Sequence, residues 1–187
     1  MKSFLIVIVV LLSLNTASFS QSGFIGSFGG GISAPTGMLS DDNLTGFNLH
    51  GSSGYIFNKN IGARLDFQYN SFGFDNTGFP DASGGTLSIV SIKTDLLAGN
   101  FDRSSRLNPY GVLGFGYFMS NRSDLTVGGF RYIFESSNDF GMGLGGGTMF
   151  NISRSAAVFG EGQLNIIFTP NENITYVPFR AGIIFRP

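Results

Sequence analysis

From Ile61 to Ser71 the chain alternates without a break. Ile61, Ala63, Leu65, Phe67 and Tyr69 are apolar, while Gly62, Arg64, Asp66, Gln68 and Asn70 are polar or bare. A period of two sends successive side chains to opposite faces of an extended strand, so this segment needs an apolar medium on one side and a polar one on the other. The preceding stretch repeats the pattern, with Phe47, Leu49, Tyr55 and Phe57 on one face and Asn48, His50, Ser52 and Gly54 on the other. Asn58-Lys59-Asn60 between them is rich in residues that tolerate left-handed backbone. The two strands therefore read as a hairpin.

Composition identifies the apolar medium. Only 12% of the residues are charged and the mean hydropathy is +0.19, whereas soluble domains carry about 25% charge. The first twenty residues stand apart: Lys2, an apolar run from Phe4 to Leu12, then Ser18-Phe19-Ser20. This is the three-part pattern of a secretory signal peptide. Its nine-residue apolar run is too short to anchor the chain, since spanning takes about 20 residues. The leader is expected over 1–20, with Gln21 as the first mature residue and 21–187 as one domain. After residue 20 no apolar run approaches the length of a membrane helix. Only helices and closed barrels satisfy their backbone in lipid, so an exported chain this apolar is expected to cross as a barrel.

The alternation extends to eight strands, at 22–34, 44–57, 61–72, 86–99, 108–119, 139–150, 156–167 and 174–185. Short connections fall at 58–60, 100–107 and 151–155, and longer polar ones at 35–43, 73–85, 120–138 and 168–173. Short periplasmic turns, longer external loops and an even strand number are the expected form of an outer-membrane barrel, which places both termini in the periplasm. The stretch 127–135 is read as part of the third external loop or a strand extension above the membrane, because a ninth strand would break the even count. The 28 glycines suit a narrow interior that side chains fill. Gly141, Gly143, Gly145 and Gly147 share one face, opposite to that of Phe140, Met142, Leu144 and Phe150.

Gly29-Gly30-Gly31 with Pro35-Thr36-Gly37, Pro109-Tyr110-Gly111 opening the fifth strand, and Phe159-Gly160-Glu161 in the seventh follow one another in order. A closing strand of alternating apolar residues ends in an aromatic. With these features the chain, over essentially all of 21–187, resembles the small outer-membrane barrels of the OmpA/OmpX type. The resemblance implies an all-β, eight-stranded antiparallel up-and-down transmembrane barrel. It implies that Val177, Phe179, Ala181, Ile183 and Phe185 form the signal read by the outer-membrane barrel assembly machinery, with periplasmic chaperones as partners during biogenesis. Outer-membrane lipid and lipopolysaccharide would surround the folded protein. No peptidoglycan-binding domain is expected.

Zero cysteines exclude a disulfide framework, a thiol nucleophile and cysteine metal sites. A net charge of −1 gives no basic footprint for nucleic acid. Gly141 to Gly146 matches the dinucleotide pattern G-x-G-x-x-G, but its flanks alternate as strand where the motif needs a following helix. His50, the only histidine, points inward opposite Gln68 and is read as a satisfied interior residue with amide partners. Arg64, Asp66, Lys93, Asp95, Glu161 and Arg180 fall on the polar faces and are read as an interior ion-pair network, since buried charges must be paired. If Arg64 lies opposite Asp95, the paired positions sum to 159 and Asp66 falls opposite Lys93 in the same register. The acids at 41–42, Asp75, Asp81 and Glu172 are read as solvated loop residues. No catalytic, cofactor or metal site is expected. The expected protein is a monomeric, non-enzymatic integral outer-membrane barrel, structural or making surface contacts with an unknown ligand through its loops. The alternative is an outer-leaflet lipid-modifying barrel enzyme acting on lipid A acyl chains. A secreted lipocalin-like carrier is disfavoured, because it would turn the polar face of the third strand outward on a Phe-rich surface.

Overall fold

The computed structural model describes residues 23–78, 81–170 and 172–186. The leader, Gln21, the expected start of the first strand at 22, and Asn171 and Pro187 lie outside the described residues.

Eight long strands close on themselves: β1 (Gly23–Thr36), β2 (Gly46–Ile56), β3 (Ile61–Phe72), β5 (Leu87–Gly99), β6 (Leu107–Arg122), β9 (Ser137–Asn151), β10 (Ala156–Ile167) and β11 (Ile174–Phe185). Their order round the barrel is β1-β11-β10-β9-β6-β5-β3-β2, with every neighbouring pair antiparallel. No sheet edge is left in the wall, which is what a low-dielectric surrounding requires of the backbone.

The alternation read in β3 is the alternation observed. Leu65 and Phe67 are 56% and 52% exposed, while Asp66 between them is fully buried. Aromatic rings gather towards both ends of the outer wall. Phe24, Tyr55 and Phe57 adjoin near the chain termini, and Phe47 with Tyr69 and Tyr117 with Phe140 adjoin near the opposite end. Two such girdles flank the apolar band of a barrel that sits in a bilayer.

The termini, with the turns at 57–60, 100–106 and 152–155, occupy one end. Four connections, the three longest among them, occupy the other. The first carries one helical turn, α1 (Leu39–Asp42), whose Leu39 is buried. The second and third associate in a small sheet of β4 (Ser83–Gly84), β7 (Leu125–Val127) and β8 (Phe130–Tyr132). The segment 127–135 is thus part of a hairpin outside the barrel. Gly128 and Gly129 take left-handed backbone at its tip, with φ of 56° and 84°. In the second loop Asp75 accepts hydrogen bonds from the hydroxyl and the backbone N–H of Thr77, which hold its carboxyl below the usual range.

Candidate functional site

The lumen is filled in layers, and the same order recurs along strand after strand. At the terminal end an apolar plug contains Ile25, Ile56, Leu97, Met149, Phe159 and Ile184. At the loop end a second plug contains Phe72, Ile89, Phe118, Ile167 and Tyr176, capped by Leu39 from α1. Between the plugs lies a layer of charge and, on its loop side, a layer of amides and hydroxyls. Strand β3 passes through the sequence Arg64, Asp66, Gln68, Asn70, Phe72. Strand β10 passes through Phe159, Glu161, Gln163, Asn165, Ile167.

All six charged residues singled out in the sequence are buried in this layer. The register of β3 on β5 sets Arg64 opposite Asp95 and Asp66 opposite Lys93. Arg64 Nη2 stands 2.8 Å from Asp95 Oδ2. The second pair is looser: Lys93 Nζ is 3.8 Å from Asp66 and donates instead to Gln163 and, at 3.1 Å, to Asn165 across the lumen. The closest partner of Arg64 lies on the far wall, Glu161 Oε1 at 2.7 Å. Arg180 is opposite Glu161 in the β10–β11 ladder and reaches Asp66 Oδ2 at 2.8 Å. Tyr110 donates to the other oxygen of Glu161 at 2.8 Å. Three cations and three carboxylates therefore balance, and their bonds tie opposite walls together. Isolated charges in such a medium would cost several kcal/mol each, so the layer is viable only as a whole.

Glycine supplies the room. A Cβ at Gly114 would lie 2.2 Å from Asp95 Oδ1, and one at Gly143 would lie 2.6 Å from Gln163 Nε2. The inward glycines of β6 and β9 recede where the facing walls project.

His50 departs from expectation. It sits opposite Gln68 in the ladder, but its partners are not amides. Nδ1 is 2.6 Å from Asp66 Oδ1, and Nε2 is 3.0 Å from Ser27 Oγ. The side chain leans along the strand to a diagonal neighbour, a contact that strand pairing permits and ladder position alone does not reveal. Ser27 was not singled out in the sequence, and nothing in its neighbourhood there marks it.

The terminal-strand residues Phe179, Ala181, Ile183 and Phe185 are exposed on the outer wall, with Val177 half-buried beside them. Among the loop acids, α1 carries Asp41 and Asp42. Asn43 is buried, donating to Leu39 O at 3.0 Å and accepting from Arg122 at 3.3 Å. Among the described residues no group of three or more histidines or acids could hold a metal ion.

A family model described as the outer membrane protein beta-barrel domain matches residues 4–185. Among solved structures, Neisserial surface protein A (NspA) superposes with a TM-score of 0.63 at 17% identity, covering 89% of this chain and 99% of that one. Ail, the attachment invasion locus protein of Yersinia pestis, gives 0.52 at 17% identity, covering 89% and 97%. The outer membrane protein OprG of Pseudomonas aeruginosa gives 0.51 at 14% identity, covering 89% and 93%. At these identities the likeness is one of fold. No curated protein matches the chain.

Proposed function

The chain belongs to the outer membrane protein beta-barrel domain family, and from that premise we propose that it is a non-enzymatic, closed barrel of the bacterial outer membrane. Its termini face the periplasm, and its loop end, with the small sheet of β4, β7 and β8, meets the exterior and makes whatever surface contact the protein has. The observation that carries this reading is the filling of the lumen: two apolar plugs enclose a charge-balanced layer. Neither solute passage nor substrate entry fits so full an interior. The three longest connections gather at one end, as external loops do. The expected result is that the folded protein fractionates with outer membranes and migrates faster on gels unboiled than boiled. Recovery of folded protein from the soluble periplasm would contradict the reading.

A rival reading draws on one geometry. Ser27, His50 and Asp66 form a hydroxyl–imidazole–carboxylate chain, the arrangement that activates a serine for acyl transfer. Three features weigh against it. The side chains of His50 and Asp66 are fully buried, Arg180 shares the Asp66 carboxylate, and Ser27 Oγ is also 2.6 Å from Ser52 Oγ. The chain reads better as part of the interior network. Replacing His50→Ala should leave the acyl pattern of the host's lipid A unchanged, and a His50-dependent change in acyl number would favour the enzyme.

A further inference from the structure

Charge is divided along the barrel axis in a way the overall net charge of −1 conceals. The middle is balanced. Among the described residues, the loop end holds eight carboxylates against two guanidinium groups, Arg122 and Arg131. The terminal end reverses this, with Lys59, Arg103, Arg106, Arg154 and Arg186 against one carboxylate, Asp102.

Two of these cations, Arg106 and Arg154, border one groove. The turn at 100–106 and the turn at 152–155 flank an open groove of about 490 Å³ bordered by both of these cations, with Phe150 and Ile152 as its apolar wall; the Arg103 guanidinium turns away, its Nη2 lying 3.0 Å from where a Cβ on Gly23 would stand. The turns are braced against each other: Asn151 N donates to Arg106 O at 3.0 Å, and Asn151 Nδ2 donates to Ser105 O at 2.6 Å. The guanidinium of Arg106 lies over the Phe150 ring, 4.8 Å from its centroid. Phe150 faces outward at 37% exposure, and Ile152 beyond it is 63% exposed. The cations therefore stand where the lipid-facing wall ends, at headgroup depth, each with an aliphatic stem suited to apolar surface and a charged head suited to the polar side.

We propose that this groove seats the phosphate headgroup of a phospholipid in the leaflet nearest the chain termini, with Arg106 and Arg154 holding the phosphate and Phe150 and Ile152 meeting the glycerol and upper acyl chain. Guanidinium groups match phosphate oxygens in geometry as well as in charge. The apolar wall selects a lipid over a free anion. The inference rests on the barrel being embedded in a membrane, and its test separates the two.

Folded protein in uncharged detergent micelles is given phosphatidylglycerol or phosphatidylcholine, and retained lipid is counted by native mass spectrometry. The comparison is with a variant carrying Arg106→Gln and Arg154→Gln, and with Arg131→Gln at the opposite end as control. Gel mobility before and after boiling reports folding for each; a wild type that fails this check counts against the membrane reading itself. Each basic residue at an anionic membrane surface is worth about fivefold in binding. The wild type and Arg131→Gln should retain phosphatidylglycerol in preference to phosphatidylcholine, and the double variant should lose it by tenfold or more. Arg154→Gln alone, at an exposed turn, should lose about fivefold and stands in if the double variant does not fold. Equal retention by variant and wild type overturns the proposal. Displacement of the lipid by equimolar inorganic phosphate does so too, since it would make the groove a site for the free anion.

Discussion

The lumen has two unlike walls. At the level of the charges, β3, β5, β10 and β11 project Arg64, Asp66, Lys93, Asp95, Glu161 and Arg180, whereas β6 and β9 present Gly114, Gly116, Gly143 and Gly145. The ladder pairs one kind with the other: Lys93 faces Gly116, Asp95 faces Gly114, and Gln163 faces Gly145. Eight strands leave an interior just wide enough for side chains to fill, so long side chains on one strand need bare backbone on its neighbour. The difference teaches that the glycines are as much a part of the ion-pair layer as the ions, because without them the layer would not fit.

The comparison breaks most severely if a charge is removed. Asp66 serves His50, Arg180 and Lys93 together, so Asp66→Ala should destabilise the folded barrel by about 3–5 kcal/mol, the cost of leaving a buried partner unpaired. Adding Lys93→Met restores the charge balance and should recover part of the loss. Urea titration of refolding into lipid vesicles measures both. An additive double variant would mean that the layer is not coupled.

Reversing the faces ranks second. Leu65 lies between Arg64 and Asp66 but looks outward, and Leu65→Arg should cost about 2–4 kcal/mol at mid-membrane depth. The same vesicle titration checks it, and unchanged stability would invert the assignment of inside and outside.

The strand boundaries at 61–72, 156–167 and 174–185 and the register of β3 on β5 were legible in the sequence, because a period of two and two opposite-charge pairs leave a single solution. Other features were not legible. Pairing fixes neighbours within the wall and says nothing of which side chains meet across the lumen, so the contacts of Arg64 with Glu161 and of Arg180 with Asp66 needed the closed barrel. The Ser27–His50 contact lies within the wall but on a diagonal, since the ladder pairs Ser27 with Ser52 and Gly29 with His50, and register alone does not reveal it. Short strands such as β4, two residues long, carry no periodicity to read. The polarity of the two ends was hidden because residues as distant in sequence as Arg103 and Arg154 share one rim.

Glycine substitutions sharpen the contrast at lower energy. A Cβ at Gly145 would meet the backbone of Gly162 at 2.2 Å, whereas one at Gly160, on the outer wall, meets nothing within 4 Å. Gly145→Ala should cost about 1–3 kcal/mol by overpacking, and Gly160→Ala should be neutral or stabilise by about 0.5–1 kcal/mol through reduced chain entropy. Parallel unfolding curves for the two variants test this, and equal costs would remove the distinction between walls. The smallest effect is expected for Leu144→Ile, an apolar exchange on the lipid face, below about 1.5 kcal/mol.

The closed lumen is most directly tested by conductance. Wild-type protein inserted in a planar bilayer should give no large, stable single-channel steps, because the Phe72–Tyr176 plug, the charged layer and the Ile56–Ile184 plug leave no continuous aqueous path. Reproducible steps of porin size from the intact protein would contradict the account.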